Sequence, residues 1–350
     1  MSNAVEFDNV SIVFGDRPAQ ALPLMDEGRS RGEIQAETDQ ILGVHDCSIA
    51  VPEGEILVLM GLSGSGKSTL LRAVNGLNPV IRGSVSVREN GAMVDITNAN
   101  ARTLRRVRMN TVSMVFQQFG LLPWRTVREN AGLGLELGGM PAKKARERVD
   151  HQLALVGLSD WADRKVGELS GGMQQRVGLA RAFATDAPIL LMDEPFSALD
   201  PLIRTRLQDE LLELQAELKR TIVFVSHDLD EAFKLGNQIA ILEGGRIVQA
   251  GTPQHIFQNP QNQYVADFVQ NMNPLGVLRT RDLMRPPDGA PSHNLPADML
   301  IKNCMERLIG MDGPVGVEEN GQIVGQLSKD DLLKALAGAP SSGEVATSGR

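Results

Sequence analysis

The chain has 350 residues, 42% of them hydrophobic and 22% charged, with a formal net charge of −8. That length carries a full-size core plus a small second domain, and the acidic balance argues against the basic face that a nucleic-acid footprint needs. Cys47 and Cys304 lie far apart with no CxxC pair, which reads as reduced, buried thiols rather than a disulfide or zinc framework. No run approaches the roughly 18 consecutive apolar residues of a membrane span. The start, MSNAVEFDNV, is acidic where a secretory signal needs a basic stretch followed by an apolar one. The expectation is a soluble, intracellular protein.

In chain order, VEFDNVSIVF alternates with period two and stops at Gly15, predicting a first strand. A polar stretch follows from Asp16 to Gly43, in which Ser30 to Glu33 reads SRGE, a capping-box pattern that opens a short helix. CSIAVPEGEILVLM predicts two strand runs with a turn at PEG. STLLRAVNGL is apolar at helical spacing and ends at Gly76, and GSVSVRENGAMVDIT predicts a hairpin around Asn90-Gly91. TVSMVF, PILLMDEP, TIVFVSHD and QIAILEGG are short apolar runs alternating with helical stretches, the pattern of buried parallel strands in an α/β core. Between Phe119 and Glu168 the strand signals vanish, predicting a helical subdomain inserted in that core. The proline-rich stretch Arg285 to Pro296 reads as a linker or irregular start. Beyond it come a helix over Ile301 to Ile309, strands at Val315 to Val317 and Ile323 to Leu327 around an ENG turn, and a helix capped by Ser328. Residues past Gly338 are small and polar and are expected to be disordered.

The chemistry begins at GLSGSGKS, Gly61 to Ser68, between the strand EILVLM and a helix. It satisfies G-x-x-x-x-G-K-[ST] in the strand-to-helix setting that a phosphate loop requires. Its glycines let backbone N–H groups turn toward phosphate oxygens, and the helix N-terminus adds its dipole. Lys67 supplies a point charge for β- and γ-phosphates and Ser68 a hydroxyl for Mg²⁺. A flexible Gly/Ser linker would not be clamped between a buried strand and a helix. Asp193, at the end of an apolar run, is placed to orient Mg²⁺ and water, and Glu194 beside it to polarise the attacking water as general base.

LSGGMQQRVGLARA, Leu169 to Ala182, followed by PILLMDEP, SALD and SHD, narrows the class. The set resembles the ATP-binding cassette (ABC) ATPase family over Val5 to about Val269. The resemblance implies an α/β fold: a phosphate-loop core, an antiparallel β arm and the helical subdomain, about 119–180, within a cassette of 1–272. It implies ATP and Mg²⁺ as ligands. It gives nucleotide contacts to Gly61, Leu62, Ser63, Gly64, Ser65, Gly66, Lys67, Ser68 and Thr69, and to Ser170, Gly171, Gly172, Gln174 and Asp200. Phe14 is the candidate to stack on adenine, with a plain core phenylalanine as the alternative. Gln117 matches the family glutamine that reaches Mg²⁺ and water, Gln118 is the weaker choice, and His227 matches the histidine that contacts the γ-phosphate. Ser68, Gln117 and Asp193 are the metal-ligand set. The other histidines match nothing.

Ser170 to Gly172 precede a helix, a second anion site, which in this family faces the phosphate held by the other protomer, so a homodimer is implied. The insertion at 16–43 and the tail are departures from a minimal cassette. The tail resembles a divergent CBS module, residues 273–338, with a disordered end at 339–350. Together with MGLSGSGKSTLLRAVNGL and FGLLPWRTV, these features resemble the ATPases of glycine betaine, proline betaine and choline importers, closest to the choline type. That implies integral membrane permease subunits, a periplasmic or extracellular substrate-binding protein, and a place on the cytoplasmic face of the cell inner membrane, with no nucleic-acid partner. Phe119 to Trp124 would meet a membrane subunit, although Trp124 also reads as subdomain core. Tyr264, Trp124 and Trp161 are scattered along the chain, so no aromatic cage for a quaternary ammonium is expected here. The other readings are an importer ATPase for another small solute and a soluble non-transport ABC ATPase. The latter lacks support, since neither a tandem cassette nor a long coiled-coil insertion is present.

Overall fold

The computed structural model describes residues 2–117, 120–270, 274–288, 291, 293–311 and 313–337. Gln118, Phe119, the boundary at 272/273 and the tail 339–350 lie outside the described residues. The strands are β1 (Asn3–Phe14), β2 (Ile41–Pro52), β3 (Ile56–Met60), β4 (Arg82–Glu89), β5 (Ala92–Asp95), β6 (Val112–Val115), β7 (Ile189–Asp193), β8 (Thr221–Val225), β9 (Gln238–Glu243), β10 (Arg246–Gly251), β11 (Asn294–Pro296), β12 (Val315–Glu319) and β13 (Gln322–Leu327). By contact density the chain divides into residues 1–227 with 240–248, and residues 228–239 with 249–350.

The first unit is organised by two sheets. One is ordered β2-β1-β4-β5, with each of its pairs antiparallel. Asn90 (φ 51°) and Gly91 (φ 82°) turn β4 into β5, as an Asn-Gly pair favours. The other sheet is ordered β10-β9-β3-β8-β7-β6, with β3, β8, β7 and β6 running parallel to one another. Every residue of β3, β7 and β8 is buried, which is why these runs read as continuously apolar rather than alternating. One apolar core takes Leu57 and Leu59 of β3, Leu191 of β7 and Val223 of β8, and joins them to Val5, Phe7 and Val10 of β1. Helices Val127–Ala131, Leu133–Leu137, Ala142–Leu155 and Gly171–Ala184 form the helical part.

The stretch after β1 is ordered. Ser30 caps the helix Arg31–Thr38 with the predicted capping box, and Ile34 packs with Val13, Ala21, Met25 and Leu42 in a small second core. The strand that follows begins at Ile41, inside the polar stretch.

In the second unit, β11 pairs parallel with β12 and β12 pairs antiparallel with β13, flanked by helices Ile301–Leu308 and Lys329–Ala337. The helix, strand, turn, strand, helix order is the predicted one. The proline-rich stretch is more than a linker, because it ends in β11 and its Arg285 backbone exchanges hydrogen bonds with Gln326 (2.8 and 2.9 Å). Among the described residues no helix is long and apolar enough to cross a membrane.

Candidate nucleotide-binding site

β3 ends against Gly61, whose φ of +139° and lack of a side chain are both required, since a Cβ there would lie 2.1 Å from the Leu242 carbonyl oxygen. The chain turns through Gly64 and Gly66, also at positive φ, into the helix Lys67–Ala73. Lys67 is buried, and its Nζ donates to the carbonyls of Gly61 (2.8 Å) and Leu62 (3.0 Å) of its own loop. Burial pushes the lysine below its ordinary pKa, against the opposing pull of the Glu194 and Asp193 carboxylates. The Ser65 hydroxyl is buried with no partner among the described residues, an unmet polar group facing the same loop.

Ser68 Oγ donates to Asp193 Oδ1 at 2.6 Å, joining the loop to the end of β7. Asp193 is fully buried, and its second oxygen accepts from Arg72 Nη2 at 2.8 Å. Burying a carboxylate is costly unless its oxygens are paired in this way. Sequence reading does not find Arg72, because the pair is 121 positions apart.

Glu194 follows with φ +48°, a left-handed conformation that a non-glycine residue holds at about 1–3 kcal/mol. Its backbone is bonded on both sides: the N–H donates to Val225 O (3.2 Å), and the carbonyl accepts from Gln175 Nε2 (3.2 Å) and from Ser197 Oγ (3.1 Å) and N (3.4 Å). Gln175 is buried and also accepts from the Ala198 N–H (3.1 Å), so one side chain ties the strand end to the SALD turn. The strained backbone aims the side chain. Glu194 Oε2 accepts from Gln117 Nε2 at 3.1 Å and lies 3.5 Å from His227 Nδ1. Gln117, Glu194 and His227, far apart in sequence, thus meet at one carboxylate oxygen.

A cavity of about 420 Å³ opens over the loop, with Ser63, Gly64, Gly66, Lys67, Ser68 and Thr69 as its floor and Gln117 and Glu194 also in its wall. Phe14 and Ile41 line it too, so Phe14 faces the cavity while also packing on the core. Gly43 makes room for that ring, since a Cβ there would sit 2.9 Å from Phe14 Cε2.

None of Ser170, Gly171, Gly172, Gln174 or Asp200 lines that cavity. Ser170 caps the helix Gly171–Ala184 by accepting from Met173 N (3.4 Å), and Gln174 Nε2 donates to the carbonyls of Val166 (3.3 Å) and Leu169 (3.1 Å). Asp200 caps the helix Pro201–Leu218 through Ile203 N (3.0 Å). The cavity thus collects phosphate-loop candidates with Gln117 and Glu194, and none of these five. Trp124 is 66% exposed, which answers the subdomain-core reading.

The family model described as ABC transporter matches residues 44–197. The glycine betaine/proline betaine transport system ATP-binding protein of Escherichia coli K12 is 44% identical over 338 residues, 96% of this chain and 83% of that one. The chain belongs to the ABC transporter family. Within it, the trimethylamine N-oxide transport system ATP-binding protein of Ruegeria pomeroyi is 41% identical over 96% of this chain and 97% of its own length. A dimeric ATP-binding cassette solved in a post-hydrolysis state with ADP and Pi superimposes with a TM-score of 0.61 at 30% identity, covering 71% of this chain and 98% of that one. The fold is therefore that of an ABC ATPase, a protein that binds ATP.

Proposed function

We propose that this ABC ATPase drives uptake of small solutes carrying a fully methylated nitrogen: glycine betaine, proline betaine, choline or trimethylamine N-oxide. The observation that carries this is the identity of 41–44% to betaine and amine-oxide transport proteins across 96% of the chain, insert and tail included. Choline, the type the sequence resembles most, shares the methylated nitrogen but is not in those relatives' names.

In this reading the cavity holds ATP, with its phosphates on Gly61–Thr69 and its adenine against Phe14. The Ser68 hydroxyl and the Asp193 carboxylate, 2.6 Å apart, are hard oxygen donors suited to Mg²⁺, with Gln117 completing the set. That ion neutralises charge on the phosphates when bound. Glu194 accepts the proton of the attacking water, and His227 contacts the γ-phosphate from the same side. Ser170–Gly172, Gln174 and Asp200, absent from the cavity of their own chain, serve the nucleotide of a second copy, so that two chains enclose two ATP molecules. The exposed Trp124 fits an interface anchor for a membrane permease subunit, which would place the chain on the cytoplasmic face of the inner membrane, with a separate binding protein capturing cargo outside. The β11–β13 unit follows the strand–strand–helix order of a divergent CBS module.

Uptake of labelled glycine betaine into cells whose only route is this system tests the cargo class. Unlabelled choline, proline betaine and trimethylamine N-oxide should compete, whereas methionine should not. Competition by methionine with none by the methylated amines would reverse the assignment.

A further inference from the structure

One side chain of the insert between β1 and β2 reaches the phosphate loop. Arg31 opens the helix Arg31–Thr38, and its Nη1 donates to the Gly64 carbonyl at 2.6 Å. Its Nη2 donates to the Gly43 carbonyl, at the start of β2. The guanidinium lies against Gly245, whose φ of +87° suits glycine and whose missing Cβ would come 2.6 Å from Nη2 and 3.0 Å from the Gly43 carbonyl oxygen. Arg31 Nε is buried with no partner among the described residues, and burial lowers the arginine's pKa from its ordinary value. Arg31 and Gln35, one helical turn apart, both line the nucleotide cavity.

The rest of the insert keeps Arg31 in position. The capping box fixes the helix start, with Glu33 Oε2 accepting from Ser30 N at 2.8 Å. Ile34 anchors the helix in its own small core with Met25 and Leu42. Asp26 takes Arg82 Nη2 at 2.9 Å, and Gln40 Oε1 accepts the Arg17 N–H at 3.0 Å, closing the insert at both ends. This is a folded arm with one cationic contact on a glycine-rich loop.

We propose that Arg31 is a positioning residue for nucleotide binding: it tethers the tip of the phosphate loop, through Gly64, to the start of β2. A loop with several glycines loses much backbone entropy when it orders around phosphates. A tether present before binding removes part of that cost. Because Arg31 acts through the backbone that cradles the phosphates shared by ATP and ADP, both nucleotides gain. The inference rests on the reading of Gly61–Thr69 as the ATP site.

The test uses the full chain, fluorescent ATP and ADP analogues, and the variants Arg31→Met, Arg31→Lys and Lys67→Ala. Arg31→Met keeps the stem and removes the donors, and affinity for both nucleotides should fall about 10-fold, the scale of lost charge-assisted hydrogen bonds. Arg31→Lys, retaining a charge and a donor, should fall by less. At saturating ATP the kcat of Arg31→Met should return to that of wild type, which damage to the fold would not allow. Wild-type affinity in Arg31→Met, a loss confined to ATP, or a lowered kcat with unchanged affinity would each overturn the tether. If Arg31→Met does not fold, wild-type affinity in Arg31→Lys overturns it equally. Wild-type affinity in Lys67→Ala would instead remove the ATP-site reading beneath it.

Discussion

Glu194→Gln is expected to bind ATP as tightly as wild type while hydrolysing it about 10²–10⁴-fold more slowly, the usual contribution of a general base. The amide is nearly the size of the carboxylate, so the left-handed backbone at φ +48° and its bonds to Val225 and Gln175 persist. What changes is the oxygen that meets Gln117 at 3.1 Å and faces His227 at 3.5 Å. An amide oxygen does not take up a proton from water at neutral pH, and the γ-phosphate stays in place. Size exclusion with ATP should therefore show a persistent dimer, and phosphate release should nearly vanish. Turnover within a few-fold of wild type would take Glu194 out of that role.

Lys67→Ala should fail one step earlier. The ammonium is buried and bonded to the Gly61 and Leu62 carbonyls, so its removal takes away both a phosphate charge and the clamp that shapes the loop. ATP affinity should fall by about 10–100-fold, the range for losing hydrogen bonds to a charged group. No ATP-dependent dimer should form at concentrations that saturate wild type. The fluorescent-nucleotide titration used for Arg31 reads this directly, and unchanged affinity would show that Gly61–Ser68 does not hold phosphate.

These expectations rest on parts of the molecule that differ in how far the sequence discloses them. The strand–loop–helix around Lys67 is plain because its signals are local: an all-buried β3, glycines at positive φ, then helical spacing. The Asn90-Gly91 hairpin and the Ser30 capping box are plain for the same reason. Contacts between distant segments are not. Asp193 is readable as a carboxylate at a strand end, but its pairing with Arg72 follows from how the helix after the loop packs on β7. Gln174 and Gln175 are adjacent and alike in sequence. Helical geometry turns Gln174 toward the Val166 and Leu169 carbonyls and Gln175 toward Glu194, so only the fold separates their work. β11 is too short at three residues for alternation to show. Arg31 is an ordinary surface arginine on paper, since Gly43 and Gly64 lie 12 and 33 positions away.

In the proposed dimer each ATP site is completed by the signature segment of a second copy, in keeping with Ser170, Gly171 and Gly172 not lining the cavity over their own phosphate loop. Mixing two inactive variants measures this most directly. Lys67→Ala lacks a working phosphate loop, and Ser170→Arg blocks the signature helix N-terminus. A dimer with one copy of each has one site with both lesions and one site with neither. ATP hydrolysis should therefore be absent from each variant alone and return when they are mixed. If each site lay within a single chain, neither copy in the mixture would hold an intact site, and continued inactivity on mixing would contradict the two-chain arrangement.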